Sequence, residues 1–219
     1  MPRRNRGQAI EMSTPERQAH WQNVYQTKAE DEVSWFQSSP TISLDLIRAT
    51  GARKDASIVD IGADASRLID ALVEAGFTAL TALDLSEKAL AVTKARLAGR
   101  AASVDWVVAD VTAWRPSRMY DVWHDRAAFH FLADPADQLA YANCVQQAVR
   151  PGGHVIIGTF ALDGPEKCSG LSVARHDASS IGRILGDSFE LAESRRQDHQ
   201  TPGGTIQRFQ FSRFRHRSG

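Results

Sequence analysis

From about residue 56, short apolar segments alternate with helical patterns, and this alternation limits the possible folds more than any other feature. Each apolar segment has the length of a buried strand, and each intervening segment is long enough for a crossover helix. Such an order is typical of parallel strands covered by helices on both faces. We predict five such strands: ASIVDIG (56–62), ALTALDL (79–85), VDWVVAD (104–110), YDVWHD (120–125) and HVIIGTF (154–160).

The segments between these strands carry signals for helix ends. SRLIDALVEAG, SEKALAVTKARLAG and DPADQLAYANCVQQAVRPGG are the predicted helices. Ser86 and Asp134 are suitable N-caps, and Pro135 suits a first helical turn. Gly76 and Gly152 are typical of helix ends. The pattern therefore predicts both the helices and their approximate bounds.

The two ends of the chain have a different pattern. DASSIGRILG predicts a helix, and SFELAESRRQDH and TIQRFQFSRFRH predict two strands that pair antiparallel through QTPGGT. Before the sheet, two helices flank a loop that contains Trp35 and Phe36. We therefore predict a doubly wound α/β fold with a mostly parallel seven-stranded sheet, a C-terminal antiparallel strand and an N-terminal helical cover. The predicted domains are a flexible polar arm (1–18) and one domain (19–219), with the cover at 19–50.

Composition excludes several classes of partner. Lys plus Arg and Asp plus Glu each number 26 in the 219 residues, so no net field favours nucleic acid or an anionic membrane. No segment is long and apolar enough to span a bilayer, and the basic start lacks the apolar segment of an export signal. Two widely separated cysteines, Cys144 and Cys168, fit a reducing compartment. We expect a cytoplasmic protein with neither a nucleic-acid nor a membrane partner.

Charged residues follow the predicted strands at the sheet edge where doubly wound folds bind ligands. Asp84 ends the second strand and Asp110 the third, and the fourth ends in His124, Asp125 and Arg126. Asp84 has two equally supported interpretations: its carboxylate accepts hydrogen bonds from the ribose hydroxyls of an adenosine-type ligand, or it only helps to cap the next helix. The recurrence of charge on successive strands favours a ligand site.

The turn after the first strand excludes two common nucleotide sites. Gly62-Ala63-Asp64 is followed by no further glycine at the spacing of the dinucleotide fingerprint, so only one glycine of three is present. A P-loop is absent as well, because no Gly-Lys-Ser/Thr follows. An NAD-dependent oxidoreductase is therefore disfavoured.

Taken in order, these motifs resemble the class I S-adenosylmethionine-dependent methyltransferases, which have a Rossmann-like fold. The resemblance covers about residues 20 to 160 and rests on the acid-hydrophobic-Gly turn, the acids after strands two and three, and RPGG (150–153). It implies S-adenosyl-L-methionine as cofactor and RPGG as a structural turn. The implied cofactor contacts are Asp60, Gly62, Ala63 and Asp64 near the methionine part, Asp84 and Leu85 near the ribose, and Asp110 and Val111 near the adenine.

The segment HWQNVYQTKAEDEVSWFQ is similar to the N-terminal cover of a narrower group of bacterial methyltransferases. That group is also similar to the eukaryotic enzymes that methylate lysine in citrate synthase and elongation factor. The resemblance implies that Trp21, Tyr25, Trp35 and Phe36 close over the cofactor. Tyr25 and Trp35 are the expected cofactor contacts among them.

Asp64 departs from the family pattern, which usually has a glycine at this position. Aspartate tolerates a positive φ better than most residues. Its carboxylate can attract the sulfonium or amino group of the cofactor, but it repels the cofactor's own carboxylate. The hypothesis is that binding survives in weakened form. The alternative is a catalytically silent domain that has kept only the fold.

Methyl transfer from a sulfonium depends mainly on alignment, and a base is needed only if the acceptor arrives protonated. His124 and Arg126 are the candidate catalytic residues, with Arg126 also suited to a substrate carboxylate. His130 is better interpreted as a packed core residue. The acceptor is a small molecule or a protein lysine, and the sequence does not decide between them. No histidine pair has the spacing of a metal site.

The loop ALDGPEKCSGLSVARHD follows the fifth strand at the same edge. Its length and its Gly, Pro and Ser content are typical of a loop that faces a substrate. An exposed connector is an equally good interpretation. Under the first, Cys168, Arg175 and His176 contact the substrate.

Overall fold

A computed structural model describes residues 13–218. One seven-stranded sheet has the order β3-β2-β1-β4-β5-β9-β8. Strand β9 is antiparallel to both β5 and β8, and the pairs among β1 to β5 are parallel. The predicted fold class and the C-terminal antiparallel strand are confirmed. The strands are β1 (Ser57–Ile61), β2 (Ala79–Asp84), β3 (Val104–Val108), β4 (Tyr120–Arg126), β5 (Val149–Phe160), β8 (Phe189–Gln200) and β9 (Ile206–His216), and β6 (Lys167–Cys168) and β7 (Leu171–Ser172) form a separate hairpin.

Helices cover both faces of the sheet. Helices α1 to α4 pack with one buried cluster, and α5 and α6 pack with a second cluster on the opposite face. In β1, Ile58 belongs to the first cluster and Val59 and Ile61 to the second, as the alternation of side chains along a strand requires. The helices are α1 (Thr14–Thr27), α2 (Thr41–Arg48), α3 (Leu68–Glu74), α4 (Glu87–Leu97), α5 (Pro135–Ala148) and α6 (Ala178–Leu185), with short 3₁₀ segments at Ala98–Ser103 and Phe129–Phe131.

Two predicted helix caps are confirmed. The Ser86 hydroxyl accepts a hydrogen bond from the Ala89 N–H at 3.2 Å, and the Asp134 carboxylate accepts one from the Ala136 N–H at 2.8 Å. Each bond satisfies one of the free N–H groups of a first helical turn. The first of these caps fixes the start of α4 directly beside the carboxyl end of β2.

The bounds of α5 and β5 differ from the prediction. Helix α5 ends at Ala148 and β5 begins at Val149, so that RPGG (150–153) lies within an irregular first part of the strand. The register with β4 shifts between Tyr120 and Val122. Pro151 has no N–H to donate, and Gly152 has a φ of +82°, so the chain bulges here before regular pairing begins.

The N-terminal cover begins earlier than predicted. Residues 1–12 of the predicted polar arm lie outside the described residues, but residues 14–18 form the start of α1 instead of an arm. The Glu16 carboxylate accepts hydrogen bonds from both the N–H and the hydroxyl of Ser13, at 2.8 and 2.7 Å. Pro15 also suits the first turn. These local signals start the helix at Thr14.

Two features are absent from the residues that the structure describes. Within 13–218, no helix combines the length and the apolar character that a bilayer crossing requires. The same part of the chain contains no cluster of three His, Cys, Asp or Glu residues that could hold a metal ion. Cys144 and Cys168 are both buried free thiols.

Candidate cofactor site

A cavity of about 770 Å³, including its open mouth, lies beyond the carboxyl ends of β1, β2 and β4. Helix α1 and the loop after it close one side, and the β4 end and the 3₁₀ segment after it close the other. Among its wall residues are many of those expected from the sequence, namely Tyr25, Trp35, Gly62, Asp64, Asp84, Leu85, Asp110, Val111 and Arg126.

Gly62 allows the turns after β1 and β4 to approach each other closely. Its φ is +62°, in the left-handed region that favours glycine. A Cβ at this position would lie 2.7 Å from the Cβ of Ala128, which also lines the cavity. The turn after β1 and the turn after β4 therefore touch here, and a side chain would separate them.

Asp84 has the helix-capping role of one of its two interpretations, and its contact with a ribose stays a prediction. One carboxylate oxygen accepts the Asp64 N–H at 3.0 Å and the other accepts the Ser86 N–H at 2.7 Å, so Asp84 ties together the two turns beside it. It also lines the cavity, and a carboxylate oxygen can accept more than one hydrogen bond. Burial raises the pKa of Asp84 to about 6, although the hydrogen bonds from backbone N–H groups act to lower it.

Asp64 has a left-handed backbone with a φ of 43°. Its carboxylate accepts a hydrogen bond from the Trp35 indole N–H at 2.9 Å, and its carbonyl accepts one from the Thr93 hydroxyl at 3.2 Å. Burial and the nearby Asp84 carboxylate hold the pKa of Asp64 well above its ordinary value. Tyr25 lies close enough that its own pKa is raised by burial and by both carboxylates.

A second, smaller cavity adjoins the first. Gly62, Asp64, Trp35 and Arg126 belong to the walls of both, so these four residues separate the two spaces. Asp60 belongs to the second cavity instead of the first. The division of the predicted methionine-side contacts between two adjoining spaces was not expected from the sequence.

His124 also lies at the second cavity, with both ring nitrogens engaged. Nδ1 lies 2.7 Å from an Asp60 carboxylate oxygen, and Nε2 lies 2.9 Å from the Ser43 hydroxyl. The pairing follows from the sheet, because Asp60 and His124 are direct neighbours in register. Both ring nitrogens therefore have partners, and the ring helps to orient Asp60. This arrangement does not favour the catalytic role predicted for His124.

Arg126 has unused hydrogen-bond donors. Its Nη1 donates to the Trp35 carbonyl at 2.9 Å, and its guanidinium carbon lies 4.9 Å from the centre of the Phe209 ring. Nε and Nη2 are buried and have no hydrogen-bond partner among residues 13–218. Burial lowers the pKa of Arg126 to about 10, although the Asp64 and Asp60 carboxylates oppose this change. Two buried donors in a cavity wall can bind an anionic group.

Asp110 lies at the cavity, but α1 occupies its carboxylate. One oxygen accepts the Thr14 hydroxyl at 2.7 Å and Arg17 Nη2 at 2.9 Å. The other accepts the N–H and the hydroxyl of Thr112, at 2.9 and 2.7 Å. In this arrangement Asp110 anchors the cover helix, so an adenine amino group would have to share or displace these donors. Val111 lines the cavity as predicted.

Ala63 and Asp125 are buried away from the cavity, and His130 is packed as expected. Ala63 is 3% exposed and its N–H donates to the Leu83 carbonyl, so it packs in the core and does not line the cavity. Asp125, at the end of the fourth predicted strand, is buried and accepts hydrogen bonds from two backbone N–H groups and from the Tyr141 hydroxyl. Burial raises its pKa to about 6. His130 is fully buried with a pKa lowered to about 3, which confirms the packed interpretation.

Some residues of the cavity were not predicted. Arg17 and Phe131 line it, and the Gln18 side-chain amide donates to the Leu85 carbonyl at 3.2 Å. The capping signal at residues 13–16 would have placed Arg17 in the cover. In the loop after β5, Cys168 lines the cavity, whereas Arg175 pairs with Glu166 away from it. His176 is buried against Phe129 and is not part of the cavity wall.

Comparisons with known proteins agree with this fold. Residues 58–153 match the family described as "Methyltransferase domain". The sequence matches none of the curated proteins with which it was compared. A methyltransferase of Anabaena variabilis ATCC 29413, described as SAM-dependent, superposes with a TM-score of 0.76 at 11% identity, over 96% of this chain and 98% of that one.

The chain has the methyltransferase fold. Two further solved structures share it. The N-methyltransferase NodS of Bradyrhizobium japonicum WM9, in complex with S-adenosyl-L-homocysteine, has a TM-score of 0.69 at 17% identity, over 90% of this chain and 98% of that one. The 1,6-didemethyltoxoflavin-N1-methyltransferase of Burkholderia thailandensis, with bound 1,6-didemethyltoxoflavin and S-adenosylhomocysteine, has a TM-score of 0.68 at 19% identity, over 96% of this chain and 93% of that one.

Proposed function

We propose that this protein is an S-adenosyl-L-methionine-dependent methyltransferase that acts on a small molecule. The observation that carries the proposal is the cavity bounded by Gly62, Asp84 and Val111, within the segment that matches a methyltransferase domain. The two structural relatives with bound S-adenosylhomocysteine support the choice of cofactor.

The residues of the cavity fit this cofactor in most respects. Asp84 retains acceptor capacity for the hydroxyls of a ribose, and Gly62 adds no side chain to the cavity wall. Leu85 and Val111 supply apolar wall on the adenine side. Tyr25 and Trp35 line the cavity, with their ring centres 6.4 Å apart. The fit is incomplete at Asp110, whose carboxylate already has four donors.

When bound, the cofactor supplies a methyl group that is already activated on a sulfonium. The protein therefore has to bind the cofactor and the acceptor, orient them towards each other and exclude water. No histidine is among the described residues that line the main cavity. We accordingly expect an acceptor that arrives as an unprotonated nucleophile and needs no histidine base.

Arg126 is the proposed contact for the acceptor. Its free Nε and Nη2 suit an anionic group such as a carboxylate, and Trp21 and Phe131 provide an aromatic wall, with ring centres 4.8 Å apart. A cavity covered by α1 and the Trp35 loop favours a small acceptor over a lysine presented on a folded protein.

Calorimetric titration with S-adenosylmethionine tests the cofactor assignment. We expect saturable binding by the wild type and at least a tenfold loss of affinity in Asp84→Ala. Asp55→Ala changes an acid whose side chain is 69% exposed and serves as the control. Absence of binding to the wild type would overturn the proposed function.

The acceptor class is tested by incubating the enzyme with methyl-labelled cofactor and a cell extract. The proposal predicts label in the small-molecule fraction and its loss in Arg126→Ala. Label in protein would instead support the lysine alternative. Cofactor binding without label in either fraction would support the silent-domain alternative.

A further inference from the structure

We infer that Asp64 makes this site select the positively charged sulfonium cofactor over the neutral thioether that remains after methyl transfer. The inference rests on the proposed function and concerns the relative affinity for the two ligands. It starts from the position of Asp64, whose carboxylate belongs to the wall between the two adjoining cavities.

The Asp64 carboxylate is held in this wall by specific contacts. The Trp35 indole N–H donates to it at 2.9 Å, and the Asp64 N–H donates to Asp84 at 3.0 Å. The Thr93 hydroxyl fixes the Asp64 carbonyl at 3.2 Å. The backbone and the side chain of Asp64 are therefore both anchored, so the charge has a defined place in the site.

The charges around this wall favour a cation. Three carboxylates, those of Asp60, Asp64 and Asp84, line the two cavities near it, together with the single guanidinium of Arg126. Among the other charged groups of the two walls, Arg17 pairs with Asp110, and Arg67 pairs with Glu30. The site therefore has an excess of acidic groups over basic ones. The sulfonium form of the cofactor carries one more positive charge than the thioether form.

Burial makes the charge of Asp64 depend on the group that lies beside it. Burial and the neighbouring Asp84 carboxylate disfavour the ionised form of Asp64 and raise its pKa. A sulfonium nearby favours the ionised form, because opposite charges attract strongly where water is excluded. The neutral sulfur of the thioether form provides no such compensation, and the amino group common to both ligands does not distinguish them. Asp64 therefore contributes to the affinity for the sulfonium form of the cofactor and little to the affinity for the thioether form.

The matched variant is Asp64→Asn. Asparagine has nearly the same shape, tolerates a left-handed backbone and can still accept the Trp35 N–H, but it carries no charge. Asp64→Gly, which removes the side chain, gives the second variant. Asp55→Asn controls for loss of an acid elsewhere, since its side chain is exposed.

The experiment is calorimetric titration of each variant with S-adenosylmethionine, with S-adenosylhomocysteine and with an amine analogue in which an ammonium replaces the sulfonium. We expect the wild type to bind both cationic ligands at least tenfold more tightly than the thioether. In Asp64→Asn and Asp64→Gly this ratio should fall at least fivefold, and in Asp55→Asn it should stay unchanged.

Two outcomes would contradict the inference, and they differ in what they imply for the proposed function. Equal ratios in the wild type and Asp64→Asn would overturn the inference and leave the proposed function intact. A wild type that binds none of the three ligands would overturn the proposed function and the inference with it. If Asp64→Asn does not fold, two other results test the inference. One is the ratio of cationic-ligand to thioether affinity in Asp64→Gly, and the other is the affinity of the wild type for the amine analogue compared with the thioether.

Discussion

Gly62 and Gly76 both have a left-handed backbone, with φ values of +62° and +85°, yet only Gly62 is enclosed by a neighbour. A Cβ on Gly76 would have no atom within 4 Å, whereas one on Gly62 would lie 2.7 Å from the Ala128 Cβ. Gly76 therefore needs glycine only for its backbone conformation, whereas Gly62 needs it also because a side chain would collide with Ala128. The steric requirement belongs to the candidate site.

We expect Gly76→Ala to lower the free energy of unfolding by about 1 kcal/mol through backbone strain alone. Gly62→Ala adds the collision with Ala128, so the loss should reach about 2–4 kcal/mol. Urea denaturation measures both. Equal losses in the two variants would contradict the account of the turn after β1.

Asp125 provides a pH-dependent test of a buried carboxylate. Its pKa is raised by burial from 3.8 to about 6, so the folded protein retains the proton to higher pH than the unfolded chain. Its contribution to stability is therefore present below the unfolded pKa and is lost as the pH rises through about 6. We expect the wild type to lose about 2–3 kcal/mol relative to Asp125→Asn between pH 3.5 and 6.5.

Thermal or urea denaturation of both proteins across this range measures the difference. Asp177→Asn gives a control of opposite sign, because the pKa of Asp177 is lowered by its hydrogen bonds with Ser180 and its stabilisation is lost as the pH falls. If the difference in free energy of unfolding between the wild type and Asp125→Asn did not change with pH, burial would not raise the pKa of this carboxyl group.

At the scale of elements, α1 is held to the sheet edge by contacts far apart in sequence. Arg17 pairs with Asp110 at 2.9 Å and with Asp137 at 2.5 Å, and the Gln22 side chain lies 3.2 Å from the Ser86 hydroxyl. These contacts connect the cover to the ends of β2 and β3 and to α5. The cover is therefore a fixed wall of the cavity in this structure.

Arg17→Ala should loosen this wall, because the Asp110 and Asp137 carboxylates lose their common partner. We expect amide hydrogen exchange in α1 to become roughly tenfold faster, which corresponds to about 1.4 kcal/mol. Arg53→Ala is the control, since the Arg53 side chain is 85% exposed and pairs only with exposed Asp55. Unchanged exchange in Arg17→Ala would show that α1 is held by its apolar contacts instead.

Much of the fold could be predicted because its signals are local. The strand and helix alternation, the caps at Ser86 and Asp134 and the order of acids at strand ends all lie within short segments of sequence. The start of α1 was also local, in Ser13 and Glu16, but it was not recognised. The early start of β5 was not predictable, since it depends on a register shift against β4.

The candidate site was predicted only in outline. That Asp60, Asp84 and Asp110 lie at one edge follows from parallel strands, so their proximity was predictable. Which group each one binds was not, because Trp35 and Asp64 are 29 residues apart and Arg17 and Asp110 are 93 apart. Such pairs depend on how the cover helix packs, and no local pattern encodes that.

At the scale of the whole molecule, β9 joins the parallel strands to the edge strand β8 and carries much of the core. Phe209, Phe211 and Phe214 are at most 1% exposed. The Phe211 ring lies directly on Gly158 of β5, where a Cβ would come within 2.6 Å of it. The absence of a side chain at Gly158 thus allows the ring to pack against the strand.

Phe211→Ala should lower the free energy of unfolding by about 3–5 kcal/mol, since it leaves a cavity in the core between β5 and β9. Leu191→Ala, on β8 with half of its surface exposed, should cost less than about 1 kcal/mol. Urea denaturation with a common m-value measures both. Similar losses would mean that the C-terminal strands contribute little to the core.

The central claim is that the cavity between Gly62, Asp84 and Val111 binds the adenosine part of S-adenosylmethionine. A crystal structure of the protein grown with the cofactor or its amine analogue tests this most directly. The account predicts ribose hydroxyls within hydrogen-bond distance of the Asp84 carboxylate and an adenine beside Val111. A ligand bound elsewhere on the molecule, with Asp84 contacting only the N–H groups of Asp64 and Ser86, would contradict it.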